Sequence, residues 1–258
     1  MGDAVAPDAI VEALTNAGAA RASLRLRDLL VRGMLAGALL GLATTLSLTA
    51  TAQTGLGIVG ALVFPIGFVL IVLMGLELVT GNFGILVFPL LAGRMAAAEA
   101  ARNWALVFLA NLAGALAFAA LLYATVHLHT PLADRIIATA EAKTIAYEQA
   151  GSRGMLEVFA KAILCNWMVT VGVVMAFTST STIGRIAAMW LPIFTFVALG
   201  FEHSVVNMFV IPMGIALGAH VSIAEWWLWN QIPVTLGNLV GGVVLTSLPM
   251  WMTWRRRQ

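Results

Sequence analysis

The sequence predicts an all-α membrane protein with six transmembrane helices in two inverted three-helix repeats. Three observations lead to this prediction: the apolar composition, the number of long apolar segments, and a motif that occurs twice. Of the 258 residues, 61% are hydrophobic and 10% are charged, and the mean hydropathy is +0.96. Because a soluble domain has about 25% charged residues, this composition indicates a chain embedded in a lipid bilayer.

Six segments are each long enough to cross a hydrocarbon core about 30 Å thick. They cover roughly residues 30–52, 57–80 continuing to 92, 104–126, 159–178, 186–217 and 232–252. The second and fifth are too long for one simple helix. Helix-breaking residues lie near their centres, namely Gly81, Asn82, Pro89, Asn207 and Pro212. We therefore predict that the second and fifth transmembrane helices are broken.

The segments on either side of the six-span domain (residues 30–252) are predicted to be tails. In residues 1–29, the apolar positions Ile10, Val11 and Leu14 indicate a short amphipathic helix on the membrane surface. Residues 253–258 form a basic C-terminal tail.

The basic residues fall mainly on one side of the membrane. Ten of the fourteen Lys and Arg residues lie in or beside the two tails and in the loops between spans 2 and 3 and spans 4 and 5. Cytoplasmic loops carry an excess of Lys and Arg, so both termini of this multi-pass protein are predicted to be cytoplasmic, in the cell (inner) membrane. Because the positive charge lies in short clusters beside the spans, nucleic acid is not predicted as a partner.

One motif is present in both halves of the chain. GLELVTGN at 75–82 and GFEHSVVN at 200–207 share the pattern G-x-E-x-x-x-x-N, and NLAG at 111–114 and NLVGG at 238–242 follow them in the same order. Three spans per repeat invert the second copy relative to the first. Inverted repeats with broken helices are a recurrent plan of membrane transport proteins. Because non-helical backbone at bilayer depth must face protein or a wet cavity, the repeat predicts a pathway where the two breaks meet.

The breaks contain polar side chains suited to a pathway. His203 is the only histidine that lies away from the end of a span. A neutral imidazole donates one hydrogen bond and accepts another, and it changes charge near neutral pH. His203 is therefore a candidate for binding a small anion or exchanging a proton with it. Thr80 and Asn207 supply uncharged donors at the breaks.

The acidic residues of the motif have a different predicted role. Glu77 and Glu202 occupy equivalent positions in the repeat, and a carboxylate that lined an anion pathway would repel the substrate. Since buried carboxylates must be paired, hydrogen-bonded or protonated, we predict that both are structural and accept backbone N–H bonds at the broken-helix ends. Asn166, within the fourth span, could face the pathway or bond to another helix.

Three phenylalanines precede the motifs. Phe64 and Phe68 are four residues apart and share one helix face, and Phe196 precedes His203 by seven residues. Their spacing alone predicts core packing.

The chain resembles the formate/nitrite transporter family. The segments that carry the resemblance are GLELVTGN, LCNWMV, GFEHSVVNMFVIPMGI and VTLGNLVGG, and the similarity extends from about residue 20 to 252. The resemblance implies an aquaporin-like fold, a homopentamer and one pore in each protomer. It also implies conduction of small monovalent weak-acid anions, namely formate, nitrite, hydrosulfide or short carboxylates.

The resemblance also implies roles for individual residues. His203 matches the central pore histidine, Thr80 matches the threonine at the break in the second span, and Asn166 matches the asparagine near the pore. Phe68 and Phe196 match the apolar constrictions. Phe64 lies alongside them, and Lys143 matches the vestibule lysine, with Lys161 as the alternative.

An intact anion crosses apolar constrictions only at high cost, because full desolvation of a charge costs on the order of tens of kcal/mol. Our hypothesis is that positive vestibules attract the anion and that a proton reaches it near His203 or in the vestibule. The neutral acid then passes Phe68 and Phe196. Formate is favoured as the substrate, ahead of nitrite and hydrosulfide.

The sequence leaves alternatives to proton-linked passage open. The chain could be a bare-anion channel without proton coupling, or a channel for ammonium or a neutral solute. An intramembrane enzyme using His203 with Glu202 is disfavoured, because adjacent residues on a helix diverge by about 100°. No nucleophile motif, metal-ligand set or cofactor is predicted.

Overall fold

The computed structural model describes residues 3–254, and the regular elements in that range are helices. The helices are α1 (Pro7–Ala22), α2 (Leu26–Thr54), α3 (Gly57–Leu73), α4 (Val79–Leu91), α5 (Ala97–Tyr123), α6 (Pro131–Ala142), α7 (Ile145–Gln149), α8 (Gly151–Met175), α9 (Thr182–Ala198), α10 (Ser204–Leu217) and α11 (Ile223–Trp254).

The six predicted spans are confirmed as four continuous helices and two pairs of shorter ones. Helices α2, α5, α8 and α11 are long and apolar enough to cross a membrane, whereas α3 with α4 and α9 with α10 form the second and fifth spans. Each continuous helix begins before its predicted bound; α2, for example, begins at Leu26. Helices α2 and α11 also end later than predicted, whereas α5 and α8 end three residues earlier, at Tyr123 and Met175. Hydropathy marks only the apolar centre of a span, while the helix continues into its polar ends.

The breaks lie at residues 74–78 and 199–203, ahead of the residues predicted to cause them. Gly75 and Gly200 adopt positive φ angles of 64° and 66°, a conformation that suits glycine and ends a helix. In each break the residue after the glycine donates its N–H back to the helix, Leu76 to the Ile71 carbonyl and Phe201 to the Phe196 carbonyl.

The five residues predicted to lie at the breaks are instead in the half-helices that follow. Gly81, Asn82 and Pro89 belong to α4, and Asn207 and Pro212 belong to α10. The prediction of two broken spans is therefore confirmed, but the predicted positions of the breaks are wrong. The first glycine of each motif ends the preceding helix.

Helix α1 packs against protein. Its apolar residues Ile10, Val11 and Leu14 are buried in the core of the chain, and a Cβ at Gly18 would lie 2.7 Å from the Ile85 carbonyl oxygen. The prediction that this amphipathic face lies on the membrane surface is wrong, because the second half of span 2 covers it.

In each repeat the first and last spans touch along their backbones. A Cβ at Gly114 of α5 would collide with the Met34 carbonyl group of α2, and a Cβ at Gly241 of α11 would collide with the Ile163 carbonyl group of α8. Small residues allow this close approach between helices in a membrane, where packing drives association. The two contacts occupy equivalent positions, three residues after Asn111 and Asn238.

Gly114→Ala is expected to destabilise the fold by about 1–3 kcal/mol, because the backbone of Met34 cannot move away from the added methyl group. Gly57→Ala is the matched control, since nothing lies within 4 Å of its added Cβ. The thermal unfolding midpoints of the purified proteins in detergent test this prediction. Equal midpoints for the two variants would contradict it.

Candidate functional site

The two broken spans meet at one side-chain contact. Thr80, the second residue of α4, has its Oγ1 atom 3.1 Å from Nε2 of His203, which immediately precedes α10. Both residues are buried, with exposures of 0% and 2%. The sequence predicted convergence of the breaks, and the structure brings together one candidate residue from each repeat.

The surroundings of His203 determine which ring nitrogen carries hydrogen. Its Nδ1 atom accepts bonds from the backbone N–H groups of Val205 and Val206, at 3.2 and 3.3 Å, so the side chain caps α10. An Nδ1 atom that accepts is unprotonated, and the hydrogen of the neutral ring is then on Nε2. The Nε2–H group therefore donates to the Thr80 hydroxyl oxygen.

Half-helices α4 and α10 both begin at this contact and run in opposite directions. Helix α4 ends beside α1, where the Pro89 ring lies against Gly18. Helix α10 ends beside α6, with the backbone N–H of His220 donating to the Glu141 carboxylate at 3.0 Å. The partial positive charge at the start of each helix is consequently directed at the centre of the protein.

One aromatic ring stacks on the histidine, and a second ring contacts the first. The Phe196 ring stacks on the His203 ring with centroids 5.7 Å apart, and the Phe64 ring meets Phe196 edge-on at 5.8 Å. Phe68 lies against Gly172 of α8, whose added Cβ would be 3.2 Å from the ring. The three candidate constriction residues are all buried, and they remain the candidates for an apolar barrier.

A cavity of about 160 Å³ leads toward this barrier. Phe68, Leu78 and Gly81 are among its lining residues, and so are the two arginines Arg21 and Arg185. The volume is several times the roughly 30 Å³ that one water molecule occupies in the liquid, so a three-atom anion fits.

The Glu77 carboxylate is held by side chains. Its Oε1 atom lies 3.0 Å from Nη1 of Arg21, and Oε2 accepts from the Asn82 amide at 2.8 Å. The prediction that backbone N–H groups bind this carboxylate is wrong, because a charged partner on α1 reaches it. Arg21 was not among the candidate residues, since it lies 56 positions earlier in the chain.

Glu202 is held in the same way. Its carboxylate accepts from Lys143 Nζ at 2.8 Å, Tyr147 Oη at 2.9 Å and the Asn207 amide at 2.8 Å. Here too the predicted backbone partners are replaced by side chains. Burial and the adjacent Glu202 charge raise the pKa of Tyr147, so its hydroxyl remains a donor. Because the Asn207 amide also donates to Asn230 at 2.7 Å, its nitrogen has no hydrogen left for a substrate.

Two asparagines bind the backbone of the breaks. Asn111 Oδ1 accepts from the Val79 N–H at 2.9 Å, and its amide donates to the Glu77 carbonyl at 2.8 Å. Asn238 repeats both bonds with Ser204 and Glu202, at 2.9 Å each. These are the asparagines of NLAG and NLVGG, which the sequence identified as repeat markers without assigning a function.

Asn166 joins two helices. Its amide donates to the carbonyl groups of Thr80, at 3.1 Å, and Asn238, at 2.6 Å. Of its two predicted roles, the structure shows the helix-to-helix bond. Its buried Oδ1 atom has no hydrogen-bond partner within residues 3–254.

Lys161, the alternative to Lys143, pairs with Glu157 at 2.7 Å and lies over the Tyr147 ring. Lys143 instead contacts the break directly through Glu202. Across the described range, no cluster of three His, Cys, Asp or Glu side chains is placed to hold a metal ion.

Two repeats whose broken helices meet at a buried histidine stacked on an aromatic ring define a membrane transport protein. The chain belongs to the formate/nitrite transporter family, whose model matches residues 8–252. It is therefore a transport protein and not an enzyme.

Relatives and solved structures agree with this family. The chain is 37% identical to the formate channel FocA of Haemophilus influenzae, with 82% of this chain and 81% of the relative covered. A solved pentameric formate channel with formate bound is 27% identical, with a TM-score of 0.75 and coverage of 89% and 97%. A solved ion channel of the same family is 28% identical, with a TM-score of 0.83 and coverage of 95% and 98%.

Proposed function

We propose that this protein is a channel that conducts formate, with passage linked to a proton. The observation that carries the proposal is the contact between His203 Nε2 and Thr80 Oγ1 at the meeting point of the breaks. It presents hydrogen-bond donors at the starts of two helices, a setting that suits an anionic or polar substrate. The formate channels among the relatives and solved structures support formate as the substrate.

The proton and the anion meet before the constriction in this proposal. The His203 ring cannot release its Nε2 hydrogen without first gaining one at Nδ1, and Nδ1 faces two N–H groups. His203 therefore acts as a hydrogen-bond donor, and formate takes up its proton in the vestibule. The neutral acid then passes the apolar barrier without the cost of desolvating a charge. His203 donates to its carbonyl oxygen, and Asn166 Oδ1 is an acceptor for its O–H group.

Purified protein in liposomes with an internal pH dye tests the proposal. Formate added outside is expected to acidify the interior faster than in protein-free liposomes, which report diffusion of formic acid through the lipid. Nitrite and hydrosulfide are added in parallel to rank the substrates. Flux that follows an imposed membrane potential without acidification would instead indicate a bare-anion channel, and no flux for any of the three would contradict the proposal.

We also propose a homopentamer in the cell (inner) membrane with both termini in the cytoplasm. The pentameric formate channel supports the assembly, and the Lys and Arg distribution supports the orientation. The domain limits stay as proposed, with tails at 1–29 and 253–258. Residues 255–258 of the basic tail lie outside the described residues. The mass of the purified protein in detergent tests the assembly, and protease access to each terminus in oriented vesicles tests the orientation.

A further inference from the structure

Residues 3–5 are paired with the loop between spans 4 and 5. The Val5 N–H donates to the Thr178 carbonyl at 2.9 Å, and the Thr180 N–H donates to the Asp3 carbonyl at 3.0 Å. This pairing holds the loop beside the start of α9, where Arg185 lies in the first turn. Arg185 Nε in turn donates to the Ser179 carbonyl at 2.9 Å, so the position of the guanidinium group is fixed.

Arg185 and Arg21 line the same cavity, and we call its open end the N-terminal mouth. Only one of the two arginine charges is compensated by an ion pair. Arg21 is paired with Glu77 and also bonds to Asn82 Oδ1 at 3.1 Å. Arg185 makes no ion pair within 4.0 Å among residues 3–254. The cavity therefore carries an uncompensated positive charge at the N-terminal mouth.

We infer that Arg185 is the capture residue for monovalent carboxylates at the N-terminal mouth. A guanidinium group presents a planar set of N–H donors that matches the two oxygens of a carboxylate. The start of the 17-residue helix α9 adds partial positive charge. The cavity connects this charge to Phe68 and Gly81. This inference rests on the proposed function and names the first binding position in its pathway.

A neighbouring carboxylate opposes the capture. Asp3 Oδ2 accepts from Ser179 Oγ at 3.1 Å and lies 3.3 Å from the position of a Cβ at Gly184. It is close enough to repel an incoming anion, although it does not pair with Arg185. The two residues therefore act in opposite directions: loss of the Arg185 charge weakens capture, and loss of the Asp3 charge strengthens it.

The test measures formate uptake from the N-terminal mouth as a function of concentration. Proteoliposomes of one orientation are selected through an affinity tag at the C terminus, which lies on the same side. In Arg185→Gln, the formate concentration for half-maximal flux is expected to rise about two- to five-fold, the range of an exposed charge interaction, while the maximal flux is unchanged. The difference from wild type is expected to shrink in 0.5 M salt because of screening.

Three further variants make the result specific. Arg27→Gln removes an arginine whose side chain is 85% exposed and which does not line the cavity, and it is expected to behave as wild type. Arg185→Lys keeps the charge but loses the planar donor set and the Nε bond to Ser179, so its half-maximal concentration is expected to lie between those of wild type and Arg185→Gln. Asp3→Asn is expected to lower the half-maximal concentration.

Equal half-maximal concentrations for wild type and Arg185→Gln would overturn the inference. So would an Arg185→Lys variant as weak as Arg185→Gln, since the positive charge would then contribute nothing to capture. The flux of the wild-type protein at saturating formate is the control for the proposed function. If that flux is absent, formate conduction itself is rejected, and not only the role of Arg185.

Discussion

Replacing His203 with asparagine is expected to reduce formate flux by about ten- to hundred-fold while the protein remains folded. Asparagine is among the best residues at the position preceding a helix, so it keeps the cap of α10 that Nδ1 provides. It removes the Nε2–H group that faces Thr80. The substitution leaves the carbonyl oxygen of the neutral acid without its donor, and a buried acceptor without a partner costs about 1–3 kcal/mol, which sets the size of the expected loss.

The measurement is the initial rate of internal acidification in liposomes after formate addition, with the protein-free rate subtracted. His220→Asn is the matched control, since His220 is exposed beside α10 and away from the breaks. A His203→Asn variant with wild-type flux and wild-type pH dependence would show that the imidazole has no role in passage. A loss of the helical circular-dichroism signal would show that the cap, and not the pathway, had failed.

Thr80→Val tests the role of the Thr80 hydroxyl group independently of the role of His203. The valine keeps the shape of the side chain and removes the hydroxyl group that accepts from His203. Flux is expected to fall by up to about ten-fold, because the hydroxyl group no longer orients the His203 ring, and such a hydrogen bond is worth about 0.5–1.5 kcal/mol. Thr80→Ser restores the hydroxyl group and is expected to recover most of the flux in the same assay.

The periodic parts of the fold could be predicted from the sequence, because they depend on local patterns. Apolar length predicts the spans, and the G-x-E-x-x-x-x-N motif predicts the two breaks. The exact position of each break depends on the first glycine of the motif, which adopts a positive φ angle. The asparagine at the end of the motif and the proline after it direct the prediction to later positions.

The partners of the buried carboxylates could not be predicted in this way. Arg21 and Lys143 lie 56 and 59 residues before the glutamates that they bind, and only the tertiary fold brings them together. A signal was nevertheless present in the repeat. Lys143 follows Arg21 by 122 positions, and Glu202 follows Glu77 by 125. A search for charged residues within a few positions of the repeat offset would have found the pair.

These equivalences extend the repeat beyond three spans. The Arg21 carbonyl accepts from the Asn103 amide at 3.3 Å, as the Lys143 carbonyl accepts from the Asn230 amide at 2.8 Å. Arg21 is near the end of α1, and Lys143 directly follows α6. Helices α1 and α6 are therefore counterparts, each of which delivers a cation to the glutamate of one break. Helix α1 is thus part of the structure that holds the pathway.

Arg21→Met is expected to lower the stability of the protein by about 3 kcal/mol. The side chain of Glu77 is only 2% exposed, and removal of one partner from a buried ion pair costs about 3–5 kcal/mol because a charge is left without compensation. Arg21 itself is 21% exposed, which places the expected loss at the lower end of that range. For a chain of this size, the loss corresponds to a fall of about 6–12 °C in the unfolding midpoint.

The double variant Arg21→Met, Glu77→Gln distinguishes the buried charge from the loss of α1 packing. Glutamine is neutral and can still accept from the Asn82 amide, so the double variant is expected to be more stable than Arg21→Met alone. Arg94→Met is the matched control, because Arg94 also holds α1, through an exposed pair with Glu12 at 3.3 Å, and exposed pairs contribute about 1 kcal/mol or less. If the stability loss of the double variant equalled the sum of the losses of the two single variants, α1 would contribute by packing. Arg21→Met would then not leave an uncompensated charge on Glu77.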